Sequence, residues 1–438
     1  MRPPSSRSEP VPPPVPPGWP PSAPSTPTTA GLFDGVLTRG PVRGAVSDRA
    51  WLAAMLDAEA ALARAEAAIG LIPVAAATAI TAACEPDRYD LAALGAAARG
   101  SGTPVLPLVE ALRAAVPPDV AEYVHYGATS QDTLDTAAML VAHRALGALL
   151  SDLTGAADAA AGLVRAYART GMAGRTLLQH ALPVTFGLKA AGWMVALDEA
   201  ASRLTEVRET RLAVQLGGAA GTQVAFRGSG RSVAAGFARE LGLVAPVLPW
   251  HTNRTRVAEL VGALATAAGV LAKIARDVTL LAQTEVGEVV EVEPGRSSAM
   301  PHKRNPVASV SAYACASQAP GLAATLYASM AQEHERAAGA WQAEWRPLRE
   351  LLATVGSAAA WMRECLAGLT VHEAAMAANL ARLGAEAGLT DLDEPVRVAA
   401  ELAGLALDTR GHPDAPVMEP AAGQRRRTAA NEGEGGAE

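Results

Sequence analysis

Residues 131–169, QDTLDTAAMLVAHRALGALLSDLTGAADAAAGLVRAYAR, contain no proline and are built mainly of Ala and Leu. Small and straight-chain apolar residues lose little side-chain freedom in a helix, so the spacing predicts one continuous helix. At about 1.5 Å per residue it spans roughly 58 Å. Working outward, a second stretch covers 184–214. A third, 255–283, places Val257, Leu260, Leu264, Leu271, Ile274, Val278 and Leu281 on one face. A fourth helix is expected to start near Pro306 and a fifth near Trp345. Helices of this length belong to a large bundle. There is no βαβ alternation and few β-branched runs, so the fold class is all-α. The apolar faces are too wide for one chain to cover, which predicts an oligomer with a shared helical core.

The chain has 438 residues, half of them hydrophobic and 4% aromatic. Residues 1–29 are Pro-rich with Ser and Thr, and 418–438 are rich in Gly, Ala, Arg and Glu. Neither can bury enough surface to offset its ordering entropy, so both are expected to be disordered. Between them the pattern suggests an N-terminal helical domain (30–125), a central long-helix domain (126–365) and a short, C-terminal helical domain (366–417). On the first helix, Glu59 and Glu66 fall inside the apolar stripe. They are expected to be paired or at its wet edge.

A net charge of −7 with no basic stripe argues against nucleic acid as a partner. Cys84, Cys315 and Cys365 are widely spaced, with neither metal-ligand nor disulfide spacing, and read as reduced thiols. No stretch reads as a clean membrane span and the N-terminus lacks a signal-peptide core, so a cytoplasmic protein with no membrane partner is expected.

Three polar segments punctuate the long helices. The first runs from His125 to Asp132 and holds Thr129 and Ser130 before the longest helix. Hydroxyls at a helix N-terminus suit an anion, but are equally ordinary caps. The second, Gly174–Pro183, carries Thr176, Gln179 and His180 between two helices. His180 reads either as a hydrogen-bonded structural residue or as a catalytic one. The third, Gly295–Pro306, has Gly, two serines and two prolines, and so is a loop. Its cations His302, Lys303 and Arg304 follow Glu285, Glu288, Glu291 and Glu293, which could partly neutralise them. A solvated basic turn explains the charge, but not Met300 framed by Ser297, Lys303 and Asn305.

This third segment resembles the signature of the fumarase/aspartase superfamily, G-S-x-x-M-x-x-K-x-N, at Ser297, Met300, Lys303 and Asn305. The first segment is similar to the superfamily's T-S-x-D region and the second to its G-R-T-H-x-x-x-A-x-P region, in the right order. The resemblance covers about residues 31–383. It implies a mainly helical three-domain subunit, a homotetramer with a central bundle, active sites that gather the three regions from different subunits, and neither metal nor organic cofactor. It implies Ser297 as a base that removes the proton beside a carboxylate. Lys303 would stabilise the aci-carboxylate and help depress the Ser297 pKa, with Asn305, Thr129 and Ser130 holding substrate carboxylates.

One position narrows the chemistry. Where fumarases and adenylosuccinate lyases carry His after Arg-Thr, this chain has Leu177. Leucine cannot protonate a poor leaving group such as hydroxide or an amine. A carboxylate needs no such help, because its conjugate acid has a pKa of about 4. Lactone opening expels a carboxylate, and the reverse reaction adds one to a double bond. Residues 178–183, Trp250-His251-Thr252 and 332–345 also resemble the superfamily's cycloisomerase branch. That branch interconverts 3-carboxy-cis,cis-muconate and its lactone in protocatechuate catabolism. For such a tricarboxylate, Lys303, Arg254, His180, His125 and Gln179 are the expected polar contacts, with Met300 beside them; Arg175 serves either substrate or structure.

Two departures stand out. Arg296 replaces the usual Gly before Ser297, and Thr255 follows Arg254 where related enzymes often carry Asp, leaving that arginine short of one partner. The rival readings are another lyase of the superfamily, such as an adenylosuccinate-type enzyme, and a catalytically silent paralogue kept for its bundle.

Overall fold

The computed structural model describes residues 31–295, 300, 302–389 and 391–411. The ends expected to be disordered, 1–29 and 418–438, lie outside the described residues. Ser47 opens α1 (Asp48–Ala68) by accepting the Ala50 N–H at 3.2 Å. Three shorter helices follow, α2 (Val74–Ala83), α3 (Leu91–Ser101) and α4 (Val105–Ala115). Then comes the long α5 (Ser130–Tyr167), 38 residues and roughly 57 Å. Helix α6 (Phe186–Thr210) returns alongside it, α7 (Gly230–Leu241) packs on α1, and α8 (Thr255–Leu281) packs on α6. α9 (Val307–Ala316), α10 (Ala319–Ala328), α11 (Ala340–Ala367), α12 (Glu373–Ala387) and α13 (Asp393–Gly411) complete the helices longer than one turn among the described residues. The all-α class is thus observed, and the three longest proline-free stretches are helices within a few residues of expectation.

The structure departs from the expected pattern at several points. The fourth helix is two, because Pro320 cannot donate to the Ala316 carbonyl; a new helix starts at Ala319 with the proline in its first turn. The fifth starts at Ala340, five residues before Trp345. The second polar segment is no loop but an antiparallel hairpin of β1 (Gly171–Thr176) and β2 (Gln179–Thr185), pairing Thr176 with Gln179. A two-stranded ribbon of β3 (Val289–Glu291) and β4 (Leu369–Val371) ties the end of α11 to the segment before the signature loop. Finally, one helix does have the length and composition of a membrane span. α8 has 27 residues, and its Ala and Leu are apolar because they pack against α6, α9 and α11.

Close helix approach explains the many small residues. At the α5–α6 corner a Cβ on Gly187 would lie 2.5 Å from Ala168 Cα. Tyr167, Phe186 and Trp193 fill that corner edge-to-face, with centroids 5.7 and 5.8 Å apart.

Glu66 corrects the expectation for α1. It is fully buried and neither carboxyl oxygen has a hydrogen-bond partner among the described residues. Burial, and then the charge of Glu59, push its carboxyl up to about 9. The folded protein therefore keeps a proton that the unfolded chain releases above the ordinary value of 4.5. Stability is greatest below that value and falls by about 1.4 kcal/mol per pH unit as pH rises toward 9. Glu66→Gln mimics the neutral carboxyl and removes the slope. Denaturant titrations at pH 6, 7 and 8 should show the variant gaining on the wild type with each step. A constant difference across the three would contradict a buried neutral Glu66.

Candidate active site

The first polar segment lies at the start of α5. Asp132 is buried and gathers four groups. Its oxygens accept the N–H of Thr129 at 3.1 Å and those of Gly217 and Gly218 at 2.9 Å each, and His251 Nε2 lies 2.6 Å away. Thr129 and Asp132 form a capping box, so Thr129 does act as an N-cap. Ser130 follows it at the first helical position, partly exposed. His125 has a left-handed backbone (φ 62°), and its Nδ1 lies 2.7 Å from Glu59 Oε1. Burial works against a charged imidazole, but Glu59 more than offsets it and raises the His125 pKa.

Two distant segments close over this corner. Thr252 donates to the His334 carbonyl at 2.8 Å. Arg336 donates to Gln131 Oε1 at 3.1 Å and to the carbonyls of Gly218 and Ala219. Arg254 corrects its expected role. It is 3% exposed, with its guanidinium against Asp135 (2.8 and 3.1 Å) and Glu344 (2.6 to 3.2 Å). It therefore has no donor directed at a substrate carboxylate. Asp135 and Glu344 supply what Thr255 does not, and burial opposes the Arg254 charge less than these two carboxylates favour it.

The hairpin presents Gln179 and His180 near its tip, with His180 Nδ1 3.2 Å from Glu386. Arg175 proves structural: it makes two 2.9 Å hydrogen bonds to Glu288, which is fully buried and also accepts from Asn379 at 2.8 Å. The turn residues Leu177 and Leu178 both have positive φ, 51° and 64°, and are 97% and 69% exposed. Asn-Gly is the favoured pair for such a turn, while each leucine there costs roughly 1–2 kcal/mol. Leu178→Gly should therefore raise stability by about 1 kcal/mol in a denaturant titration. Unchanged or lower stability would show that Leu178 is not strained.

The signature loop is pinched at its base, where the Gly295 N–H donates to the Asn305 carbonyl at 2.9 Å and the Asn305 N–H returns at 3.2 Å. A Cβ on Gly295 would meet Val307 at 2.2 Å, so only glycine fits. Glu291 accepts the N–H groups of Ala308 and Ser309 at 2.9 and 2.8 Å, fixing the start of α9. Glu288 and Glu291 thus serve Arg175 and a helix terminus; they do not neutralise the loop's cations. Lys303 and Met300 are exposed and Asn305 partly so. Ser297, with Arg296, lies outside the described residues.

These regions are not together in one chain. The Asp132 corner and the hairpin lie at opposite ends of α5, roughly 57 Å apart. Glu288 ties the hairpin to the strand that leads into the signature loop, so those two share an end. Asp132, His251, Arg336 and Glu59 were not among the expected site residues, although the runs around His251 and Arg336 had marked those segments.

A family profile described as lyase matches residues 37–321. The chain is 49% identical to a 3-carboxy-cis,cis-muconate cycloisomerase from Bradyrhizobium diazoefficiens over 79% of this chain and 78% of that protein. It is 48% identical to a nitrosuccinate lyase from Streptomyces davaonensis over 82% of this chain and 78% of that protein. The crystal structure of a 3-carboxy-cis,cis-muconate lactonizing enzyme from Pseudomonas putida superimposes with a TM-score of 0.77 at 41% identity, covering 87% of this chain and 88% of that one.

Proposed function

The chain belongs to the lyase family of the fumarase/aspartase superfamily, and from that premise we propose that it is a cycloisomerase interconverting 3-carboxy-cis,cis-muconate and its lactone. Similarity to the cycloisomerases over most of the chain carries this reading, and Leu177 agrees with it. A carboxylate needs no acid at that position, whether it leaves or adds.

In the lactone-opening direction Ser297 takes the proton beside a carboxylate, and the aci-carboxylate that forms is stabilised by Lys303 and Asn305. The carbon–oxygen bond then breaks and the departing carboxylate is held by Ser130, His125 and the hairpin residues Gln179 and His180. Lactonisation is the reverse, with a proton delivered to carbon. The separation along α5 supports a reading in which these groups meet between packed copies of the chain, and we infer a homotetramer with sites shared between subunits. The exposed Val310 and Tyr313 of α9, Tyr327 of α10 and the leucines of the hairpin support a covered face.

A second reading rests on the nitrosuccinate lyase relative. Elimination from a nitro-substituted succinate expels nitrite, which is also a weak base, so Leu177 suits it equally. The two separate in one experiment. Cyclisation interrupts the conjugated diene, so ultraviolet absorbance of 3-carboxy-cis,cis-muconate should fall on mixing with the purified protein. No fall, with nitrite released from nitrosuccinate, would replace the first reading by the second.

A further inference from the structure

Within the α5 corner, one carboxylate from another part of the fold has no role in the reaction as described above. Glu59 sits on α1 and is 2% exposed. Its Oε1 lies 2.7 Å from His125 Nδ1 and accepts the Thr133 hydroxyl at 2.8 Å. Thr133 is itself 3.4 Å from the same imidazole nitrogen, closing a triangle of three side chains. His125 holds a left-handed backbone within it, an uncommon conformation for a non-glycine residue. Its side chain keeps 12% of its surface open, and Nε2 is the ring nitrogen that Glu59 leaves available.

We propose that Glu59 is the positioning residue of His125: its carboxylate, anchored by Thr133, accepts a hydrogen bond from Nδ1–H and so fixes the ring with Nε2–H directed at a substrate carboxylate. The proposal rests on the assignment of His125 to substrate binding. The charged groups that act on His125 are few. Glu59 comes from α1, Asp132 from α5 and Arg113 from α4; the two acids favour its charged form and the arginine opposes it. Glu66 lies two turns beyond Glu59 on α1. Because its own carboxyl stays protonated, Glu59 has no second anion beside it in the buried stripe. A buried carboxylate with a bound imidazole then behaves as an orienting pair, in the manner of the acid that holds a catalytic histidine in its tautomer.

The test uses the assembled protein, with Glu59→Gln, Glu59→Asp and Thr133→Val beside the wild type. The imidazole of His125 is followed by carbon-13 histidine labelling, assigned by its loss in His125→Asn. In Glu59→Gln its titration should move toward acid, and kcat/KM for the muconate should drop about 10²-fold. The drop should lie mostly in KM, and activity should be lost at a lower pH on the alkaline side. Glu59→Asp should recover part of both effects, and Thr133→Val should show a weaker form of each. A folded Glu59→Gln protein with unchanged His125 titration and unchanged kcat/KM would overturn the proposal. An altered titration without any change in KM would overturn it too, by separating Glu59 from substrate binding. Were the wild type inactive on the muconate, the fault would lie with the substrate assignment, and the titration would still decide whether Glu59 holds His125.

Discussion

Ser297→Ala is expected to lower kcat/KM for 3-carboxy-cis,cis-muconate by about 10²–10⁴-fold while leaving the helical content and the assembly unchanged. The group that removes the proton beside a carboxylate in lactone opening serves the same transition state when lactonisation returns a proton to that carbon, and a positioned acid–base group contributes on this scale. Lys303→Met should lose a similar amount, about 10²–10³-fold, because a charge developing on the aci-carboxylate would then lack its cation. The two losses should not add when combined, since base and cation serve one transition state. Initial rates from the diene absorbance check all three variants. A Ser297→Ala enzyme within threefold of the wild type would remove Ser297 from the chemistry.

The largest effect on stability is expected at Arg254. Asp135 and Glu344 are 2% and 3% exposed and both lean on its guanidinium. Arg254→Met leaves two buried carboxylates facing each other, a loss of about 3–5 kcal/mol. Asp135 also accepts the Trp341 indole N–H at 3.0 Å and lies one turn beyond Asp132, so the damage should spread to the corner that holds His251. Adding Asp135→Asn and Glu344→Gln to the same background should recover part of the loss, because neutral amides are less costly to bury than unpaired ions. The single variant should also be relatively less impaired at low pH. Carboxyls stranded without a cation have raised pKa values, and their contribution worsens as pH climbs. Denaturant midpoints at two pH values measure this. A loss under 1 kcal/mol would mean that the ion cluster is not the keystone of the bundle's end.

Much of this architecture was legible in the residues. The proline-free runs give helix positions directly, since nothing in 131–169 or 255–283 interrupts an α-helix. Pro320 shows why the run after Pro306 was harder: it lies in the first turn of a helix, a place proline tolerates, and looks no different from an interior position without a structure. The hairpin was hidden because Leu177-Leu178 is a poor turn sequence. The hairpin is held to the rest of the fold by Arg175 reaching Glu288, a contact between residues 113 apart. Long-range pairing also explains Glu59, Asp132 and Arg254. Each was visible as a charged residue in an apolar or polar run, but its partner comes from another helix and no local spacing points to it. The signature residues Met300, Lys303 and Asn305 were recognisable because their spacing is a pattern of function, which does not depend on neighbours in the fold.

Groups at opposite ends of α5 are expected to act in one site. Two impaired variants test this directly, His125→Asn from the α5 corner and Ser297→Ala from the signature loop, unfolded together, refolded as a mixture and assayed at low substrate. If sites are shared between copies, some hybrids hold one site free of both substitutions. The mixture should then consume the diene absorbance of 3-carboxy-cis,cis-muconate well above either variant refolded alone. A mixture no more active than its parents, from protein shown to have reassembled as hybrids, would mean that each chain works by itself and would contradict the account.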